Sequence, residues 1–268
     1  MLAGERIVDR TQQSGMPKLS VDGVSMAFGD HTVFKGIDLD VQAGEFLCLI
    51  GSSGCGKTTL LNLIAGFMPP TEGEIKVSGR VVHGPGPDRA MVFQDDAVFP
   101  WYTVLQNIEY GLKIRKLPKD ERRTQARELT ELVGLGGRED YYPAQLSGGM
   151  RKRVDVARAL SVQPEVLLMD EPFAALDAIT KARMQEEFLR MWENRETTVV
   201  FVTHDIEEAL FLGDRLILMG ENSIVRETKV PFERPRTEEV RTSPELQGMR
   251  REVIEYNRSV TRDGETGT

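Results

Sequence analysis

Three short segments carry side chains whose types and spacing suit phosphate chemistry. Gly51-Ser52-Ser53-Gly54-Cys55-Gly56-Lys57-Thr58 fits a phosphate-binding loop. Its glycines let backbone N–H groups turn inward around a β-phosphate, and a helix N-terminus after it adds positive potential. Lys57 has the reach for β- and γ-oxygens, and Thr58 offers a hydroxyl to Mg²⁺, with Thr59 beside it in the binding set. Val166-Leu167-Leu168-Met169-Asp170-Glu171 is an apolar run that ends in two acids. At the C-terminal end of a buried parallel strand, Asp170 can hold magnesium through water and Glu171 can orient or deprotonate an attacking water. In Leu146-Ser147-Gly148-Gly149-Met150, Ser147 and the Gly148 and Gly149 backbone can cap a helix whose positive end meets a γ-phosphate. Each segment has a bland reading as well: a Gly-rich turn, a strand that happens to end in acids, a Ser-Gly-Gly turn. Their occurrence together is what gives them meaning.

Elements must hold these segments. From Lys18 the pattern is strand-like: LSVDGVSMAF, a turn at Gly29–Asp30, then TVFKGIDLDV with Ile37, Leu39 and Val41 alternating, an antiparallel pair. A short buried strand from Glu45 to Ile50 runs into the glycine loop and a helix beginning near Lys57. From Phe99 to Ala159 the chain reads as helices broken at Leu117–Pro118, Gly134–Gly137 and Pro143, with Val104, Ile108 and Leu112 at four-residue spacing and Leu129 and Val133 likewise. This is a helical insert, about 99–159, in an α/β core. The core resumes with VLLMD, a helix near Thr180 to Asn194 with Met184, Phe188, Met191 and Trp192 on one face, and the strand TVVFVT. Ser243 before Pro244 starts a helix lined on one side by Leu246, Met249 and Val253. The expected organisation is a disordered or variable extension at 1–17, a main domain at 18–230, and a C-terminal extension at 231–268 with one amphipathic helix.

The whole-chain balance limits the partners. Among 268 residues, 40% are hydrophobic and 28% charged, and Lys+Arg 34 against Asp+Glu 42 gives −8. Such a chain offers no general electrostatic footprint for nucleic acid or anionic lipid. No apolar stretch approaches the ~20 residues of a membrane-crossing helix, and the first residues lack a secretory core. If this protein moves a solute, other subunits form the path. Cys48 and Cys55 read as two unpaired thiols.

Leu146-Ser147-Gly148-Gly149 ahead of the basic helix RKRVDVARAL resembles the signature motif of the ATP-binding cassette superfamily. The resemblance covers about Lys18 to Met219. It implies an α/β P-loop NTPase fold, the ABC-type nucleotide-binding domain, with an antiparallel β subdomain, a helical signature-motif subdomain and a short C-terminal helical extension. It also implies ATP and Mg²⁺ as ligands, and two cassettes closing face to face so that Ser147 and Gly149 of one meet the nucleotide of the other. Gln94 resembles the glutamine that touches magnesium and relays movement to the membrane subunit. Ala175-Leu176-Asp177 resembles the loop that crosses the dimer interface, and His204 the histidine that contacts the γ-phosphate. Phe28 stands where the family stacks an aromatic on adenine; a core role is its other reading. The sequence departs from the family at Met150 and at Asp155, an acid in the basic helix.

Phe93-Gln94-Asp95-Asp96-Ala97-Val98-Phe99-Pro100-Trp101, His204-Asp205-Ile206-Glu207-Glu208 and Arg234-Pro235-Arg236 are similar to the nitrate, sulfonate and taurine group of importer ATPases. That likeness implies an ATP-hydrolysing importer subunit, peripheral on the cytoplasmic face of the inner or plasma membrane. Its partners would be a second copy or a paralogous ATPase, transmembrane permease subunits and, indirectly, a solute-binding protein, with no nucleic acid. Phe99 and Trp101 are read either as an apolar socket for a short helix of the permease or as core residues. The alternatives are an ATPase of another ABC transporter type, a soluble cassette acting on DNA or ribosomes, and a regulatory nucleotide-binding module with little hydrolysis, which an intact Glu171 and His204 argue against.

Overall fold

The computed structural model describes residues 15–174, 176–192, 197–234 and 236–265. Residues 1–14, most of the expected N-terminal extension, lie outside them, as do Ala175, Asn194 and Pro235 of the segments above. In chain order the elements are β1 (Leu19–Phe28), β2 (His31–Val41), β3 (Phe46–Gly51), α1 (Lys57–Ala65), β4 (Glu72–Val77), β5 (Arg80–Val81) and β6 (Arg89–Val92). Then come α2 (Val104–Ile114), α3 (Lys119–Leu132), a 3₁₀ turn (Pro143–Gln145), α4 (Gly148–Ser161), β7 (Val166–Asp170) and α5 (Ala178–Trp192). The chain continues with β8 (Thr198–Val202), α6 (Ile206–Leu212), β9 (Arg215–Met219), β10 (Ile224–Lys229), α7 (Glu238–Thr242) and α8 (Pro244–Glu265).

Two sheets divide the work. One has the order β2-β1-β4-β5 and the other β10-β9-β3-β8-β7-β6. The first contains the expected antiparallel β1–β2 pair, with Leu19 opposite Val41 and Val21 opposite Leu39. In the second, β3 lies parallel between β8 and β9, and β7 parallel between β8 and β6. Strands covered on both faces read as unbroken apolar runs, which is why FLCLI, VLLM and TVVFV show no polar alternation. Successive side chains still part company. Phe46, Cys48 and Ile50 join a core with α5, α6 and the helical insert, whereas Leu47 and Leu49 join one with α1 and the antiparallel sheet.

Local chemistry sets the helix ends. Thr103 and Gln106 form a reciprocal capping box at α2. Gly56 and Gly66, both in the left-handed region, bracket α1. The stripe Met184, Phe188, Met191 and Trp192 is buried, as are Val104, Ile108 and Leu112.

The C-terminal extension differs from the single helix expected. Two helices form, because Thr237 starts α7 and the Ser243-Pro244 step ends it and opens α8, with Ser243 Oγ accepting from Leu246 N–H at 3.2 Å. Leu246 and Val253 are buried and Met249 packs beside them. Among the described residues no helix is long and apolar enough to cross a membrane. Both cysteines are free and buried.

Candidate functional site

The parallel strands deliver the motifs to one edge. Val92, Asp170 and Val202 end β6, β7 and β8, and Gly51 ends β3, all at the C-terminal side of the sheet. From that edge run the loop of Gln94, the Asp170-Glu171 pair, His204 and the glycine loop. This is where α/β sheets bind ligands.

The glycine loop is built by backbone freedom. Gly51, Gly54 and Gly56 have φ of 155°, 84° and 96°. A Cβ on Gly51 would overlap the Met219 carbonyl oxygen, and one on Gly56 would lie 2.8 Å from side-chain carbons of Val33 and Phe34. At Gly54 a Cβ would meet open space, so there only the backbone conformation calls for glycine. Lys57 is buried and curls back, its Nζ donating to the carbonyls of Gly51 at 2.9 Å and Ser52 at 2.8 Å, with Cys55 Sγ at 3.7 Å. Those carbonyl contacts hold an ammonium inside a loop that lacks any carboxylate of its own. The cradle fits an anionic ligand, which would supply the missing charge.

Thr58 and Asp170 meet at the loop's far side, the hydroxyl donating to Oδ1 at 3.2 Å. Burial pushes the Asp170 carboxyl above its usual range, the Thr58 hydrogen bond opposes this, and the neighbouring Glu171 adds to it. A desolvated carboxylate beside a hydroxyl is a donor set that a magnesium ion would relieve. Magnesium takes few protein ligands and completes its shell with phosphate oxygens and water. Among the described residues no group of three or more His, Cys, Asp or Glu could hold a metal ion alone. The residues thus fit an ion that arrives with a nucleotide.

Glu171 has φ 42°, a left-handed conformation unusual outside glycine. Its N–H donates to Val202 O at 3.0 Å and its carbonyl accepts from Ala174 N–H at 3.1 Å, so the bend is held from both sides. Its Oε2 lies 2.9 Å from His204 Nδ1; the histidine side chain is 65% exposed and the carboxylate 22%. Backbone strain held in place beside a carboxylate–imidazole pair is a mark of a working site.

The signature turn lies exposed at the start of α4. Ser147 caps α4, accepting from Met150 N–H at 3.3 Å. Gly149 sits against the Leu176 and Thr180 side chains, next to Asp177, which caps α5 by accepting from Thr180 N–H at 3.1 Å. Among the described residues no hydrogen bond joins Ser147, Gly148 or Gly149 to the loop from Gly51 to Thr59. Gln94 is exposed, and no hydrogen bond of its side chain to Asp170 or Thr58 is present among the described residues. Phe28 is 52% exposed at the end of β1, which overturns a core role. Trp101 is 66% exposed and Phe99 half-buried beneath it, their rings 5.6 Å apart, so core burial fails for Trp101.

The ABC transporter family model matches residues 34–174. The chain belongs to the ABC transporter family. Among curated relatives of this cassette, the bicarbonate transport ATP-binding protein CmpD of Synechocystis is 47% identical over 227 residues, covering 81% of this chain and 80% of that protein. The nitrate import ATP-binding protein NrtD of Synechococcus elongatus is 46% identical over 234 residues, with 85% of each covered. A solved dimeric ATP-binding cassette in a post-hydrolysis state with ADP and phosphate superposes with a TM-score of 0.70 at 31% identity, covering 80% of this chain and 100% of that one. The fold is therefore that of an ABC ATPase, as its motifs imply.

Sequence reasoning passed over two groups near the cassette's site. Thr203, just before His204, bonds through its hydroxyl to buried Glu208, which accepts from Gln185 Nε2 at 2.8 Å. Lys152 on the signature helix reaches the Gln94 loop. Asp155, noticed only as an oddity, sits three residues on, where an acid and a lysine share a helix face.

Proposed function

We propose that the chain is the ATP-hydrolysing subunit of an importer of the nitrate, sulfonate and taurine-like group. It works as a pair of cassettes on the cytoplasmic face of the inner or plasma membrane and drives separate transmembrane permease subunits. A solute-binding protein would deliver the solute to those subunits. The names of the bicarbonate and nitrate relatives support the importer class, and the dimeric cassette neighbour supports pairing. Residues 18–230 would be the ATP-binding domain, with the helical insert inside it, and 231–268 its extension.

One observation carries the reading: the Glu171–His204 pair stands at the same strand edge as the Thr58–Asp170 pair and the Lys57 loop. Backbone N–H groups of Gly51 to Thr59 would cradle the phosphates, and Phe28 would stack on adenine. Thr58, Gln94 and Asp170 would hold Mg²⁺, which neutralises charge on the β- and γ-oxygens. Lys57 would exchange its loop carbonyls for phosphate oxygens. Glu171 would accept a proton from the attacking water, and His204 would keep that carboxylate aimed while facing the γ-phosphate. Ser147, Gly148, Gly149 and Asp177, which among the described residues make no hydrogen bond to their own glycine loop, would complete the site of the second copy. Catalysis would then rest on positioning and fixed electrostatics. The exposed Trp101 on Phe99 would receive a short helix of the permease.

Glu171→Gln tests this. It should bind Mg·ATP as the wild type does while turnover falls about 10²–10⁴-fold. It should also co-purify with a permease rather than with ribosomes or DNA. Near-normal hydrolysis by this variant would remove Glu171 as the base.

A further inference from the structure

The helix that carries the signature turn is tied to the loop that carries Gln94. Lys152 lies five residues along α4 from Ser147, and its side chain is 4% exposed. Its Nζ donates to three consecutive carbonyls: Phe93 at 2.8 Å, Gln94 at 3.0 Å and Asp95 at 3.4 Å. An ammonium has three donors, so all of them are committed to this loop. Asp96 Oδ1 and Asp155 Oδ2 flank it at 3.6 and 4.0 Å. Arg151, the preceding residue, bonds Asp96 at 2.8 Å. Asp155 is buried and anchored by Arg158 at 2.8 Å, and the Ala97 backbone N–H faces it.

Residues 93–97 are thus gripped along their length by one face of α4. Burying a charged ammonium is costly, and an apolar side chain would fill this position without that cost. What only the charged group supplies is a directional hold on carbonyls. The Gln94 side chain remains exposed at the catalytic edge while its carbonyl is bound to the helix. Ser147 caps the same helix, a rod of 14 residues and about 21 Å, so a shift of the loop is passed along it rather than absorbed.

We propose that Lys152 is a positioning residue that couples the two nucleotide sites of a cassette pair, tying the Gln94 loop of a chain's own site to the Ser147 turn that serves its partner's. The inference rests on the dimeric ATPase reading above. Lys152 touches no nucleotide in it, so binding by the single chain and turnover by the pair should respond differently.

The experiment compares the full-length wild type with Lys152→Met and Lys152→Arg. Mg·ATP affinity is measured under conditions that keep the chains apart, and turnover is followed against ATP concentration where they pair. In Lys152→Met, single-chain affinity should stay within about twofold while kcat falls about tenfold and the Hill coefficient drops toward about 1. Lys152→Arg, which keeps the charge and donors, should recover most of the loss. Hydrogen exchange on the unmodified chain needs no variant to fold: on adding Mg·ATP, amides of residues 94–97 and of the first turn of α4 should slow together. Slowing of one without the other overturns the tether, as does a folded Lys152→Met with wild-type kcat and cooperativity. A wild type that neither binds nor hydrolyses Mg·ATP would remove the ATPase reading, and the tether with it.

Discussion

Gly56 has to satisfy two demands at once. Its φ of 96° lies in the region that side chains avoid, and Val33 and Phe34 leave no room for a methyl. Gly56→Ala should cost about 1–3 kcal/mol by a urea midpoint and weaken Mg·ATP binding, because the loop can recover its packing only by moving Lys57. His204 makes the complementary case. His204→Ala leaves the loop intact but frees the Glu171 carboxylate, so kcat should fall about 10²-fold while the Kd for Mg·ATP changes little. An equal loss in both quantities would show that His204 binds nucleotide rather than aims the base. The two residues also show how far the sequence reaches. Lys57, Thr58 and Gly56 are legible because their chemistry depends on neighbours along the chain. The contact between Glu171 and His204 spans 33 positions and exists only because β7 and β8 pair in register. Exposure of Phe28 and Trp101 was open for the same reason, since an aromatic beside a turn fits a surface or a core equally well until the packing is known.

Among the elements that sequence reasoning missed, α7 is linked through side chains to the residue beside His204. It is only five residues long, too short for a periodic pattern to register. Its Arg241 stacks over the Phe211 ring at 3.9 Å and donates to Gln185 Oε1 at 2.8 Å. Gln185 in turn donates to Glu208, whose other oxygen bonds Thr203 beside His204. The extension therefore closes a buried polar chain that would otherwise end in an unpartnered amide oxygen. Arg241→Ala should destabilise the protein by about 1–3 kcal/mol, from the lost stacking and the stranded acceptor, read as a lowered urea midpoint. Arg241→Lys keeps a charge but not the planar stack, and should recover only part of this. A variant as stable as wild type would mean that water replaces the guanidinium at Gln185. By contrast α8 was legible, since Ser243-Pro244 is a local start signal and its apolar side repeats at helical spacing. Strands β4 and β6 were not. One is exposed along its first half and the other is four residues long, so neither produces a clear alternation.

At the scale of the whole molecule the question is what fastens the antiparallel sheet to the α/β core, and the strand order that decides it cannot be read from any local pattern. The apolar cluster between them is non-directional. Glu165, just before β7, adds a directional link: it accepts from Lys18 Nζ at 3.0 Å, from Ser78 Oγ, and from Arg80 at 2.5 Å, all three bordering the antiparallel sheet. The Ser78 hydroxyl, followed by Lys18 and Arg80, outweighs the opposing effect of burial and holds the Glu165 carboxyl down at about 2. A folded-state value below the unfolded one of about 4.3 means that the unfolded chain takes up the proton first. The link is therefore complete above about pH 5 and is lost as the pH falls from about 4 toward 2. Arg80 and Glu165 are partly solvated, so the contribution is discounted to about 0.5–1 kcal/mol. Glu165→Gln should unfold at lower urea than wild type at neutral pH, and the gap should narrow below about pH 4 and close toward about pH 2, where protonation brings the folded wild type to the same neutral state. High salt should narrow the gap at neutral pH as well, through screening of the exposed Arg80. A gap that stayed constant with pH would place the link in the shape of the side chain rather than in its charge.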